Sequence, residues 1–183
     1  MEHNFSMEIQ LTPPEHGGYL SQEQSIHMDI QIKILDENNF DDFFSILNQM
    51  NLWAEMGGMT DEHKERLHTH YFADPPKFEC RLAFVDGKAV GFVSFYNTYA
   101  TLDARSSLYI EDLFVREEKQ SQGVGTALID ECLKLAKERN HGRVDLLSFG
   151  EGPRKFYEKL GAKWRSSNFH YRFYEDIVKK GLS

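Results

Sequence analysis

The sequence is poor in cysteine, proline and long apolar runs, and it has no excess of positive charge. Its two cysteines in 183 residues, Cys80 and Cys132, form no disulfide framework. Neither belongs to a Cys-x-x-Cys pair that would suggest zinc or dithiol chemistry. Reduced thiols in a cytoplasm are the expectation. No apolar stretch approaches the ~20 residues of a membrane-spanning helix. The N-terminal MEHNFSMEIQLTPPEHGG has no basic segment followed by an apolar one, so a signal peptide is not expected. Lys and Arg number 21 against 29 Asp and Glu, a formal charge of −8. Nonspecific nucleic-acid binding needs clustered cations that displace counterions, so neither a nucleic-acid nor a membrane partner is expected. A cationic substrate is compatible with the balance but not required by it.

Apolar residues make up 40% of the chain, enough for a sizeable core, and the length suits one domain with an arm. Residues 1–27 form the expected arm: they are polar, carry Pro13-Pro14 and Gly17-Gly18, and show no sustained period. Residues 28–183 form the expected domain. Alternation at Ile30, Ile32 and Ile34 predicts a first strand. Phe40, Phe43, Phe44, Leu47 and Met50 follow the helical i, i+3, i+4, i+7 spacing, with Asn39 as N-cap. After Gly57-Gly58, Thr60 caps a short polar helix from Asp61 to about His70. Asp86-Gly87 joins strands Arg81–Val85 and Ala89–Tyr96 in a hairpin. A polar loop leads to a strand Ser107–Val115, then a helix runs from Gly123 to about Asn140. A strand Val144–Phe149, a helix Pro153–Leu160 and closing strands at Trp164 and Phe169–Tyr174 complete the order. This predicts an α/β (α+β) fold, a mixed central sheet with helices on both faces.

Three segments carry candidate chemistry. The first is Leu108-Tyr109-Ile110-Glu111-Asp112-Leu113-Phe114-Val115. Alternation puts Leu108, Ile110 and Phe114 on one face and Tyr109, Leu113 and Val115 on the other, so the strand is covered on both sides. Glu111 and Asp112 interrupt it, one on each face, where an unpaired carboxylate costs several kcal/mol or takes up a proton. The second is Gln120-Ser121-Gln122-Gly123-Val124-Gly125-Thr126, a glycine pair at the mouth of a helix, where free N–H groups and the helix dipole attract an anion. The third is Phe156-Tyr157-Glu158-Lys159-Leu160-Gly161-Ala162 on the short helix. Each alone has a plainer reading: acids satisfied by local donors, a glycine turn, a core aromatic pair.

In this order, from residue 28 to about 178, the segments resemble the Gcn5-related N-acetyltransferase (GNAT) superfamily. With Gly91-Phe92, Tyr96, Thr98-Tyr99 and Tyr171-Arg172-Phe173, the chain looks most similar to the diamine (spermidine/spermine, thialysine) N-acetyltransferase branch. The resemblance implies acetyl-CoA as acetyl donor. Its coenzyme A portion would lie along Leu113, Phe114 and Val115. Its pyrophosphate would lie against Gln120, Ser121, Gln122, Gly123, Val124, Gly125 and Thr126, with Lys155 and Phe156 adding contacts. Glu111 would be the general base, through water, and Tyr157 the acid that protonates the leaving thiolate. The substrate would be a small primary amine, met by Glu55, Asp112 and Asp103, and the protein would be a homodimer. A primary amine with a pKa near ~10.4 must lose a proton before it can attack a thioester, which gives a base its task.

The sequence departs from the pattern at Ser121, often Gly in the family, and at Gly150, commonly Asn. The loop Ala100–Arg105 lacks the branch's Trp, and Arg105 would repel a polycation if it faced the site. Two alternatives stay open: a coenzyme A-binding module with little turnover, and an acetyltransferase of a protein amine. His63, His68 and His70 lie near Asp61 and Glu62 without metal-ligand spacing, and read as a solvated face rather than a metal site.

Overall fold

In a computed structural model that describes residues 3–5 and 28–164, the chain divides into two units, Met1–Leu147 and Ser148–Ser183. The described residues of the first unit form one sheet with strands paired in chain order. These are β1 (His3–Phe5), β2 (Ile30–Ile34), β3 (Glu79–Val85), β4 (Lys88–Ala100), β5 (Arg105–Val115) and β6 (Val144–Leu146). Neighbours run antiparallel except β5 and β6, which are parallel. Three residues of the expected arm, His3–Phe5, thus add a strand along β2. Asp86-Gly87 closes the β3–β4 hairpin, with Asp86 at φ 51°.

Helices cover both faces. Helix α1 (Phe40–Trp53) buries Phe40, Phe43, Ile46 and Leu47, and the Phe43 ring meets Phe92 of β4 edge-on at 5.2 Å. Helix α2 (Asp61–Tyr71) starts as expected at Thr60, whose hydroxyl accepts from the His63 N–H. It fastens to the β2 end through a Tyr71 hydroxyl bond to the Leu35 carbonyl, 2.7 Å. Leu82 belongs to this α1 core, whereas its neighbour Arg81 pairs with Glu131 of α3 (Val124–Glu138). Successive side chains of a strand point to opposite faces, so α3 lies across the sheet from α1.

Several boundaries and one cap differ from expectation. Asn39 precedes α1 but does not cap it; its side chain turns back to bond the Asp36 N–H and the Ile34 carbonyl, closing the β2 turn instead. The expected polar loop before β5 is mostly strand, because β4 and β5 continue their ladder out to Ala100↔Arg105. β6 stops at Leu146 rather than Phe149. The second unit holds helix α4 (Glu151–Lys159), which starts two residues before Pro153. Proline is tolerated in a first turn, where its missing N–H would have no partner. The closing strand Phe169–Tyr174 lies outside the described residues.

Candidate active site

The β4–β5 ladder contains one irregularity. Phe95 opposes Ile110 and Ser94 opposes Asp112, so Glu111 has no cross-strand partner. An extra residue of this kind is a β-bulge: it bends its strand and re-aims the side chains that follow. Tyr96 and Ser94 lie two apart on β4 and share a face. The Tyr96 hydroxyl donates to Glu111 Oε2 at 3.2 Å, and the Ser94 hydroxyl donates to Asp112 Oδ2 at 3.2 Å. The two carboxylates therefore sit on the same face, the α1 side, and not one on each. Phe114 also moves to that face, packing on the α1 core, with the Trp53 ring 6.5 Å away. The alternation read from the sequence holds before the bulge and is inverted after it.

The backbone inverts too. Before the bulge, the Leu108 N–H donates to the Arg143 carbonyl beside β6, 3.1 Å. After it, the Arg116 N–H donates to the Val90 carbonyl of β4, 2.9 Å. In an antiparallel ladder that bond makes Val115↔Gly91 a non-hydrogen-bonded pair, so Val115 directs its own N–H and C=O away from β4. Leu113 does the same by period two. The β5–β6 ladder ends at Ile110↔Leu146, so these groups face an edge where no strand pairs among the described residues. The Gln120 side chain reaches back and donates to the Val115 carbonyl at 2.9 Å.

The glycine-containing loop lies where β5 leads into α3. A short 3-10 turn, Glu117–Lys119, precedes it. Ser121 has φ 59° and Gly123 φ 88°. Residues in this left-handed region turn successive N–H groups toward one concavity, and Gly123 adopts it without the Cβ penalty that Ser121 bears. Gln122 donates to the Glu118 carbonyl, 2.9 Å. Helix α3 then begins at Val124 with no side-chain cap and no acidic residue in its first turn. Its first N–H groups and its dipole meet no competing carboxylate from that turn, which suits a pyrophosphate. An extended amide-bearing arm suits the open edge at Leu113 and Val115. These are the groups of the first unit that could hold the arm and the phosphates of coenzyme A.

Burial raises the Asp112 carboxyl above the ordinary carboxylate range, and the neighbouring Glu111 charge adds to this against the Ser94 bond. The Tyr96 phenol is pushed up to about 12 by burial and then by the Glu111 carboxylate. The Tyr96 and Tyr109 rings pack at a tilt of 35°, their centroids 5.3 Å apart. The sequence reading gave Tyr96 and Ser94 no role at these acids. Their period-two spacing on the strand paired with the acids is the signal that could have found them.

The other expected site residues are scattered. Glu55 follows α1 at φ 58°, exposed, two residues beyond Trp53. Asp103 lies in the β4–β5 turn and is held by Arg143, which also bonds Asp145 at 2.7 Å. Arg105 lies at the start of β5, about 20 Å along the strand from Glu111, where its stem packs on Gly142. On α4 of the second unit, Tyr157 meets Phe156 edge-on at 5.0 Å and Lys155 pairs with Glu151 at 2.9 Å. Gly150 precedes α4 at φ 91°, ψ 165°, a region essentially reserved for glycine. The backbone therefore calls for glycine where the resemblance leads one to expect asparagine. His63 closes the α2 cap and His68 bonds Glu37 at 2.8 Å; no group of three or more His, Cys, Asp or Glu that could hold a metal occurs among the described residues. No helix among them is long and apolar enough to cross a membrane.

A sequence model of the acetyltransferase (GNAT) family matches residues 40–162. The thialysine N-epsilon-acetyltransferase of Sus scrofa is 26% identical over 156 residues, covering 74% of this chain and 91% of that protein. The L-ornithine N5-acetyltransferase of Arabidopsis thaliana is 32% identical over 110 residues, covering 54% of this chain and 48% of that protein. Among solved structures, an aminoglycoside N-acetyltransferase in complex with CoA superposes with a TM-score of 0.66 at 20% identity, covering 80% of this chain and 95% of that one.

Proposed function

The chain belongs to the acetyltransferase (GNAT) family, and on that premise we propose that it acetylates a primary amine of a small molecule, of the diamine or thialysine kind, by direct transfer. It is an acetyl-CoA-dependent N-acetyltransferase. The observation that carries the reading is the bulge at Glu111, which sets a carboxylate beside the edge of β5 that no strand pairs among the described residues. The curated relatives named for thialysine and ornithine support a small amine as acceptor.

When bound, acetyl-CoA supplies the thioester that the amine attacks. The N–H groups of Leu113 and Val115 and the Leu113 carbonyl, with Phe114 between them, would hold its amide-bearing arm, while the Val115 carbonyl is bonded to the Gln120 side chain. The amides from Gln120, Ser121 and Gln122 through Gly123, Val124, Gly125 and Thr126 would hold its phosphates. Lys155 and Phe156 on α4 are proposed to add contacts. Glu111, through water, takes a proton from the substrate ammonium, because only the neutral amine is nucleophilic. Asp112 on the same face, with Glu55 as a further acidic group, favours a cationic substrate; Asp103, at the far end of the β4–β5 hairpin and paired with Arg143, is not positioned to join them. Tyr157 returns a proton to the departing sulfur. Direct transfer is supported by the cysteines: both are buried, and burial pushes the Cys80 thiol well up and the Cys132 thiol to about 12, so neither is a nucleophile at neutral pH.

The test is acetyl-CoA turnover against diamines, thialysine, aminoglycosides and a basic peptide, with wild type, Glu111→Gln and Tyr157→Phe. Turnover of a small primary amine that falls in both variants supports the reading. Undiminished rates in both overturn the assigned roles, and turnover of the peptide alone overturns the substrate class. We also propose a cytoplasmic homodimer, for which light scattering at micromolar concentration is the check on oligomeric state.

A further inference from the structure

Arg81 and Glu131 form an ion pair inside the first unit, 6% and 7% exposed. Arg81 Nε lies 3.4 Å from Glu131 Oε1, a long contact for a charged pair. Burying two charges costs several kcal/mol each, and a loose pair recovers little of that; well-packed apolar residues often serve stability as well or better. The pair's placement suggests another use. One guanidinium meets three elements: its Nη1 donates to the Cys80 carbonyl of its own strand β3 at 3.1 Å, its Nε donates to α3 through Glu131, and its Cζ lies over the Phe95 ring of β4, 5.5 Å from the centroid. Phe95 is the residue at which the β4–β5 register skips to leave Glu111 unpaired. Glu131 lies seven residues after Val124, about 10 Å along α3 from the anion-binding loop.

We propose that Arg81 is a positioning residue that, through Glu131 and Phe95, fixes the axial placement of α3 against the bulge, and so the span between the phosphate-binding amides and Glu111. A cation with a rigid fork and a flat face can grip a carboxylate and a ring together, which neither an apolar side chain nor lysine reproduces. The inference rests on the acetyltransferase reading, because the span is the one coenzyme A must bridge. A thioester held out of line reacts slowly even when bound, so misplacement lowers kcat as well as weakening binding.

The test uses the full chain with Arg81→Met, Glu131→Leu and the double variant, read by thermal unfolding, CoA calorimetry and steady-state kinetics. Each single variant leaves a buried unpaired charge and should unfold at lower temperature. The double variant should regain wild-type unfolding temperature, yet bind CoA several-fold more weakly and lose about tenfold in kcat. A double variant that recovers binding and kcat together with stability overturns the proposal, since that is what a purely structural pair would do. Should the double variant not fold, Arg81→Lys, which keeps the charge and loses the fork, must show the same weakened binding and lowered kcat; wild-type values for it overturn the proposal. Failure of the acetyltransferase reading is distinguishable, because it appears as absent turnover in the wild type. The CoA affinities then decide the inference, and unchanged affinity in the double variant or Arg81→Lys overturns it.

Discussion

The Tyr96 hydroxyl donates a hydrogen bond to the Glu111 carboxylate across the one irregular step of the β4–β5 ladder. The bond holds the proposed base in one orientation on a strand that no longer constrains it by pairing. A donor to an ionised acceptor is a stronger tether than a neutral pair. Tyr96→Phe should lower kcat by about fivefold while leaving CoA affinity unchanged, the scale of one hydrogen bond to a charged group that is partly exposed. Spectrophotometric titration checks the same relationship from the other side. The Tyr96 phenol, pushed up to about 12 by burial and by the Glu111 charge, should ionise at lower pH in Glu111→Gln but stay above the ordinary tyrosine range, because burial, the larger cause, remains.

A second expectation concerns the α3 N-terminus, which has no acidic residue in its first turn. Thr126→Asp places a carboxylate beside the helix N–H groups. That charge favours the helix dipole by about 0.3–1 kcal/mol, so stability should hold or rise slightly. The same charge repels a pyrophosphate at the same amides, and CoA affinity should fall at least about tenfold, with salt narrowing the gap. Calorimetry at two ionic strengths distinguishes this from a folding defect. Affinity equal to wild type would remove the phosphate from this helix.

How much of this was legible in the sequence can be judged from particular residues. Local signals succeeded. The Phe40–Met50 stripe gives α1, Thr60 caps α2, and Asp86-Gly87 closes its hairpin, because each depends on a few neighbouring residues. The glycine pair marked the turn into α3, and the apolar run of Leu108–Val115 marked a strand with neighbours on both sides. What failed depends on pairing between strands. Period-two alternation cannot announce a bulge, since a bulge is defined by the partner strand; one unpaired residue, Glu111, then reverses the faces of Asp112 and Phe114. Asn39 failed for a related reason: as N-cap it competes with a turn acceptor five residues back, Ile34, and the turn won. Glu131 carries no motif signal in the sequence, and only the fold shows that Arg81 lies opposite it.

Gly150 yields a prediction against the resemblance. If the family's asparagine at this position were simply missing, Gly150→Asn should strengthen CoA binding. The backbone there, at φ 91° and ψ 165°, is open to glycine but strained by about 1–3 kcal/mol for other residues. The substitution should therefore shift the start of α4 and weaken CoA binding or leave it unimproved. Tighter binding by calorimetry would show that the loop adapts to the side chain and that the glycine conformation imposes nothing.

Asp112 provides the last prediction, and it has a definite sign. Burial, then the neighbouring Glu111 charge, raise its carboxyl above the ordinary range in the folded protein. An unfolded aspartate titrates near ~3.9. Between that value and the raised folded one, the folded state holds more protons than the unfolded, so stability falls as pH rises through this window. The cost is absent below about pH 3.9 and complete above the folded value. Asparagine at the same position stays neutral throughout and can still accept from the Ser94 hydroxyl. Asp112→Asn should thus match wild type in unfolding temperature below about pH 4 and exceed it at pH 7–8, with the difference opening as pH rises. Glu111 also loses an adjacent negative charge, so a cationic amine should bind more weakly and its KM should rise while CoA affinity holds. Thermal unfolding of both proteins across this pH range, with amine kinetics at pH 8, tests both halves. Equal stability at pH 8 would show that Asp112 meets more compensation in its pocket than the Ser94 hydroxyl alone provides.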